Sequence, residues 1–252
     1  MLDIRSLSLQ YAGHRGPVEA LSNLSLTVPD ARFVALVGPS GCGKSTLLRC
    51  IAGLLSPTSG TILLDNQTMT GPDQRVGMVF QDPCLFPWLT VEQNISLGPR
   101  MQGWPRARQA AIVDRYLRET GLTDFRRSLP SALSGGMKQR ASIARTLAND
   151  PRVVLMDEPF AALDSFTRSS MQEFLLSLWE HGKKTILFVT HDVEEAVFLA
   201  DEVVILTPRP MRAFSTIAVP FARLRAHSLK QSAPFFAMRN TVLDTLEQAM
   251  AR

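Results

Sequence analysis

Along the first 37 residues apolar and polar side chains alternate, the period-two pattern of half-buried strands. The alternation predicts strands over 2–10, 21–28 and 32–37, with Pro29-Asp30 turning the chain between the last two. Residues 44–54 then carry a helical pattern, stopped by the breakers Ser56-Pro57-Thr58-Ser59-Gly60. Short strands are predicted at 61–64 and 76–80. The character changes near Asp82-Pro83, and 91–149 reads as helical with Pro and Gly punctuation. Val153–Met156 and Thr185–Val189 are continuous apolar runs, which suit parallel strands covered on both faces. A predicted helix at 165–181 joins them into a strand–helix–strand unit. Residues 203–206 and 214–219 are further strand candidates, and 234–250 reads as a helix. The expectation is one α/β domain over 1–252. Its core is formed by 1–81 and 151–206, its helical insertion by 82–150, and 207–252 is a C-terminal extension of hairpin and helix.

Composition changes this picture little. The chain has 252 residues, 45% hydrophobic and 20% charged, which is ordinary for a globular protein and excludes disorder. A net charge of +4 suits nucleotide phosphates, an anionic membrane face or nucleic acid. No run of five like charges marks a nucleic-acid tail. Cys42, Cys50 and Cys84 are odd in number and lack C-x-x-C spacing, so they read as free thiols of a reducing compartment. Cys42 reads either as a small packing residue or as an oxidation-sensitive one. The amino terminus has no apolar signal region, and no stretch approaches the ~20 apolar residues that span a bilayer. Work at a membrane would therefore need another chain to cross it.

The chemistry enters at Gly38-Pro39-Ser40-Gly41-Cys42-Gly43-Lys44-Ser45-Thr46. This segment follows the apolar strand Phe33–Val37 and opens a helix, the context in which G-x-x-x-x-G-K-S/T is a phosphate loop. Glycines let the backbone approach phosphates, and successive N–H groups at a helix start form an anion nest. Lys44 is expected to reach the β- and γ-phosphates and Ser45 to ligate Mg²⁺. A Gly-rich strand-to-helix turn is the bland alternative, and Lys-Ser-Thr in register argues against it. The strand Val153–Met156 runs into Asp157-Glu158. Two unpaired carboxylates there are costly to bury unless a cation accompanies them. Asp157 is read as a Mg²⁺ partner, and Glu158 as the general base that polarises the attacking water. Alone, the pair would be a solvated strand end; loop and pair together define a broad class of nucleotide hydrolases.

Leu133-Ser134-Gly135-Gly136-Met137-Lys138-Gln139-Arg140 narrows the class. Ser134-Gly135-Gly136 caps a predicted helix running through Leu147, whose start is a second anion-binding end. With these motifs the chain resembles the ATP-binding-cassette ATPases, whose signature is LSGGQ; Met137 replaces the last residue. The resemblance covers about 2–206 and implies a P-loop NTPase (RecA-like) core with a β subdomain and an inserted helical subdomain, with ATP and Mg²⁺ as cofactors. It also implies roles for isolated residues. Gln81 matches the Q-loop that contacts Mg²⁺ or water, and His191 the switch histidine. Asp164, in Ala162-Leu163-Asp164, matches the D-loop, and Tyr11 is a candidate for the aromatic residue that stacks on adenine. Taken singly, each would read as a structural polar or packing residue.

The resemblance further implies a head-to-tail homodimer, each ATP lying between one phosphate loop and the partner's Ser134–Gly136 helix end. Pro83-Cys84-Leu85-Phe86-Pro87-Trp88-Leu89-Thr90-Val91 is apolar, aromatic and stiffened by two prolines. It reads as a docking surface or as subdomain core, and the resemblance implies an integral membrane permease subunit as the partner that docks there. Leu85-Phe86-Pro87-Trp88-Leu89-Thr90-Val91, Met137, Phe160-Ala161-Ala162-Leu163-Asp164 and Thr207-Pro208-Arg209-Pro210 resemble the nitrate/sulfonate/taurine branch of bacterial importers. Such an ATPase works at the cytoplasmic face of the inner membrane, with an extracytoplasmic solute-binding protein as indirect partner and no nucleic acid. The alternative is a soluble cassette ATPase acting on nucleic acid or ribosomes. Those relatives usually carry two cassettes or a long coiled-coil insertion, and neither is present here. A phosphate-loop kinase or GTPase would leave the signature helix unexplained, and no N-K-x-D motif is present.

Overall fold

A computed structural model describes residues 1–13, 16–223 and 225–251 of the chain. In chain order its strands and α-helices are β1 (Leu2–Gly13), β2 (Gly16–Val28), β3 (Phe33–Val37), α1 (Lys44–Ile51), β4 (Ser59–Leu64), β5 (Gln67–Thr68) and β6 (Val76–Val79). There follow α2 (Val91–Met101), α3 (Arg106–Glu119), α4 (Gly135–Leu147), β7 (Val153–Asp157), α5 (Ser165–Gly182) and β8 (Thr185–Thr190). The chain ends with α6 (Val193–Leu199), β9 (Glu202–Leu206), β10 (Ala213–Ala218) and α7 (Ala233–Met250).

The strands form two sheets. One is antiparallel, in the order β2-β1-β4-β5; the other runs β10-β9-β3-β8-β7-β6. In the second every pairing from β9 to β6 is parallel, and only β10 is antiparallel, at its edge. Side chains alternate between two cores along each central strand, as the pleat requires. Phe33, Ala35 and Val37 of β3 face a core built with α2 to α7, as do Ile186 and Phe188 of β8. Val34 and Leu36 of β3 and Leu187 and Val189 of β8 face the other core, with α1 and the antiparallel sheet. The continuous apolar runs therefore reflect burial on both faces.

Caps fix the helix starts. Thr90 and Gln93 form a capping box on α2, and Ser134, Asp164, Asp192 and Ser232 cap α4, α5, α6 and α7. Helix α1 ends at Ile51, three residues before the predicted end at 54. Gly53 adopts φ 71, and the N–H of Leu54 donates to the Arg49 carbonyl at 2.9 Å, a glycine-terminated helix stop. A Cβ at Gly53 would stand 2.1 Å from the Gly71 backbone, so the turn also admits a close chain approach. β1 and β2 extend beyond the predicted 2–10 and 21–28, because each continues pairing with the other to Gly13 and Gly16. β5 and α6 are elements that the pattern did not reveal. Among the described residues no helix is long and apolar enough to cross a membrane.

Candidate functional site

All the parallel strands end on one side of their sheet, and that edge gathers the candidate residues. β3 delivers the loop 38–43 into α1. Gly41 (φ 73) and Gly43 (φ 127) take left-handed conformations there. Lys44 is buried, and its Nζ donates to the carbonyls of Gly38 (2.8 Å) and Pro39 (3.0 Å). The ammonium thus lies inside the loop. Thr46 Oγ1 is 3.2 Å from the Tyr11 hydroxyl, which brings the candidate adenine-stacking ring to the start of α1; that ring is 39% exposed.

β7 delivers the carboxylates. Ser45 Oγ donates to Asp157 Oδ1 at 2.9 Å, joining the loop to the neighbouring acidic strand end. Burial pushes the Asp157 carboxyl above its ordinary range and the charge of Glu158 adds to this, while the Ser45 hydrogen bond, Arg49 and Lys44 oppose it. Glu158 stands at φ 44, a left-handed conformation that costs a non-glycine residue about 1–3 kcal/mol. Its N–H donates to the Val189 carbonyl at 3.0 Å, and its Oε2 lies 2.8 Å from Nδ1 of His191. His191 follows β8, so the two side chains meet across adjacent strands. Gln81 is exposed, two residues beyond β6. The pairings Val79↔Met156 and Asp157↔Val189 set the ends of β6, β7 and β8 side by side, with Gln81 at that edge.

The signature residues occupy a different place. Ser134 Oγ accepts from the Met137 N–H at 3.3 Å, capping α4. Asp164 accepts from the N–H groups of Phe166 (3.1 Å) and Thr167 (3.0 Å), which hold its carboxyl below the usual range. The two caps are neighbours: a Cβ at Gly135 would lie 3.8 Å from Leu163, and one at Gly136 2.6 Å from Thr167. Among the described residues no hydrogen bond joins Ser134, Gly135 or Gly136 to residues 38–46. Within one chain the loop 38–46 and the start of α4 therefore stand as separate features.

The apolar segment is held rigid from below. Buried Asn94 donates to the carbonyls of Phe86, Leu89 and Thr90 and accepts from the Phe86 N–H. Arg145 donates to the carbonyls of Cys84 (2.6 Å) and Pro83 (3.0 Å). With the backbone fixed, Trp88 projects 71% exposed against Phe86, their ring centroids 5.6 Å apart. Phe86, Leu97, Met101 and Arg145 line an adjacent cavity of about 280 Å³.

Three participants escaped the sequence reading. Glu195 is buried behind His191 and accepts from Thr190 Oγ1 at 2.8 Å, while that hydroxyl accepts the Asp192 N–H at 3.0 Å. This pair shapes the turn that carries His191. The available signal was a carboxylate directly before the apolar run Ala196-Val197-Phe198-Leu199. Arg145 carried no pattern, and Arg209 was noted only within the branch-like run Thr207–Pro210; its Nη2 donates to the Gly41 carbonyl at 2.7 Å. Cys42 and Cys50 are buried and Cys84 exposed, all free. Burial pushes the Cys42 thiol above its ordinary value against the pull of Lys44, which favours the packing role.

The chain is similar to known proteins along most of its length. The family described as ABC transporter matches residues 21–161. The nitrate import ATP-binding protein NrtD of Synechocystis is 45% identical over 251 residues, covering 97% of this chain and 94% of its own length. The taurine import ATP-binding protein TauB of Roseobacter denitrificans is 43% identical, covering 97% and 93%. Among solved structures, the dimeric post-hydrolysis state of the ATP-binding cassette MJ0796 bound to ADP and Pi superposes with a TM-score of 0.77. It is 30% identical and covers 88% of this chain and all of that one. With a phosphate loop, an acidic strand end, a separate capped signature helix and relatives aligned nearly end to end, the chain belongs to the ABC transporter family.

Proposed function

We propose that this chain is the ATP-hydrolysing subunit of an importer for nitrate, taurine, a sulfonate or a related small solute. The observation that carries the reading is the convergence of Lys44, Ser45, Asp157, Glu158 and His191 at one sheet edge, linked by the Ser45–Asp157 and Glu158–His191 contacts. Relatives named for nitrate and taurine import supply the transport context.

Each residue has a distinct task. The loop 38–46 cradles phosphate oxygens with its N–H groups, and Lys44 exchanges its loop carbonyls for them. Ser45 and Asp157 fit Mg²⁺: both are hard oxygen donors, and a cation beside Asp157 would favour the charged carboxylate that burial disfavours. Bound there, Mg²⁺ would neutralise charge on the phosphate chain. Glu158 accepts a proton from the attacking water, and His191, bonded to it through Nδ1, orients that carboxylate. Gln81, unpartnered among the described residues, supplies an amide to the water or the metal.

The signature half completes the site in a second copy. Ser134, Gly135 and Gly136 start α4 with free N–H groups, and a γ-phosphate there would be shared between protomers, with Asp164 beside it. ATP then favours the closed dimer by its differential affinity for the two states, and hydrolysis releases it. Phe86 and Trp88 receive an integral membrane permease at the cytoplasmic face, and a solute-binding protein feeds the other side. The core, the helical segment 82–150 and the extension form one domain in this scheme.

The test is the Glu158→Gln chain. It should bind Mg-ATP, lose roughly 10²–10⁴-fold in turnover, and elute as an ATP-dependent dimer that co-purifies with an apolar membrane polypeptide. Turnover at the wild-type rate would remove Glu158 from the mechanism.

A further inference from the structure

Leu206, at the end of β9, and the turn Thr207–Arg212 that opens the C-terminal extension pack together against the phosphate loop at three points. Leu206 Cβ would stand 3.0 Å from a Cβ at Gly38, Met211 Sδ is 3.8 Å from Cys42 Sγ, and Arg209 Nη2 donates to the Gly41 carbonyl at 2.7 Å. The turn is itself firmly held. The Met211 N–H donates to the Ala20 carbonyl (3.0 Å), its carbonyl accepts from Ser22 N–H (3.1 Å), and Arg212 Nη2 donates to Ser22 Oγ (3.1 Å). Met211 is fully buried. Thr207 Oγ1 accepts from the Arg212 N–H at 3.0 Å and closes the turn, with Arg209 at its apex between Pro208 and Pro210. No carboxylate pairs with Arg209 among the described residues, so its charge is directed at the loop peptide alone.

We infer that Arg209 is a positioning residue for nucleotide binding, acting through the Gly41–Cys42 peptide. This inference rests on the reading of 38–46 as the phosphate site. A trans peptide points its carbonyl and N–H in opposite directions. A guanidinium that holds the Gly41 oxygen outward therefore turns the Cys42 N–H into the loop, where it donates to Pro39 O at a long 3.3 Å. That N–H is weakly satisfied and polarised by the charge on its own peptide's oxygen, which makes it a ready donor to an anion. Gly41, at φ 73 with open space where a Cβ would stand, has no side chain to fix its peptide plane, and the long Cys42–Pro39 bond is the other hold on it among the described residues. The extension thus tunes affinity for the nucleoside polyphosphate without touching it.

The test uses the full chain with Mg-ATP. Binding is titrated with a fluorescent ATP analogue, turnover by phosphate release, and thermal midpoints are recorded without nucleotide. Arg209→Ala should weaken binding by about five- to tenfold, the loss expected for one exposed charge-assisted hydrogen bond. KM should rise by the same factor, with kcat within twofold and the midpoint within about 2 °C. Arg209→Lys, which keeps a charged donor, should recover most of the affinity. Unchanged affinity in Arg209→Ala, or equal losses in both variants with a fallen midpoint, would overturn the inference. Failure of the wild-type chain to bind ATP would instead overturn the phosphate-site reading beneath it.

Discussion

Gly135→Ala separates the two jobs that a glycine at the signature helix start can have. The residue is the first of α4, it is exposed, and it is not among the glycines at positive φ. An added Cβ would meet only Leu163, at 3.8 Å, an ordinary contact. Alanine therefore fits without strain, and restricting the unfolded chain should stabilise the fold by about 0.4–1 kcal/mol. For a chain of this size that is a rise of roughly 1–4 °C in thermal midpoint. The catalytic expectation has the opposite sign. A methyl group on the exposed helix end displaces an approaching γ-phosphate and forfeits one charge-assisted bond, ~1.5–3 kcal/mol or about 10- to 100-fold in turnover. Gly136→Ala is the control. Its Cβ would stand 2.6 Å from Thr167 Cγ2, so the midpoint should fall, and adding Thr167→Ser should restore it. The assays are calorimetry, phosphate release and ATP-dependent dimerisation by size-exclusion chromatography. A Gly135→Ala chain that is stabilised yet dimerises and hydrolyses ATP like the wild type would refute the composite site.

Asp157→Asn should raise the midpoint of the nucleotide-free chain at neutral pH. A carboxyl raised by folding contributes stability below its unfolded value near 3.8, and that contribution is lost as pH rises through the folded value. The advantage of Asn should accordingly vanish in acid and reverse with Mg-ATP; a midpoint difference constant with pH would contradict the burial argument. Tyr11→Ala should weaken ATP binding several-fold while leaving Lys44 and Asp157 chemistry intact, read by titration against ATP and inorganic triphosphate, with only the former affected. Trp88→Glu, at a position 71% exposed, should leave the ATPase of the isolated chain within twofold but abolish solute uptake; undiminished uptake would count against the docking role.

Local signals carried most of the architecture, because this fold writes its core into its strands. Val153–Met156 and Thr185–Val189 are apolar at every position since both faces are covered. The phosphate loop, Asp157 and Glu158 were legible because their chemistry demands fixed spacing next to such strands. What stayed hidden is tertiary. Helix α6 is only seven residues long and depends on the Asp192 cap and burial between sheet and α7. Glu195 acts through Thr190, and Arg209 reaches back 168 residues to Gly41. No periodicity encodes a contact between residues so far apart, and Thr207-Pro208-Arg209-Pro210 carried only a resemblance to the importer branch.

The order of strands has a consequence for synthesis. β3 lies between β8 and β9, so the strand that carries the phosphate loop is flanked on both sides by segments translated about 150 residues later. At roughly 5–20 residues per second, a ribosome spends on the order of 10–30 seconds between them. Through most of that interval the nascent chain has residues 38–46 but lacks Asp157 and Glu158, and throughout it lacks His191 and the neighbours that hold β3 in place. The nucleotide site is therefore among the last parts of the core to form. An emerging chain cannot hydrolyse ATP before its sheet is closed, and a chain truncated before residue 185 has the loop, Asp157 and Glu158 but lacks His191 and the strands β8 and β9 that flank β3.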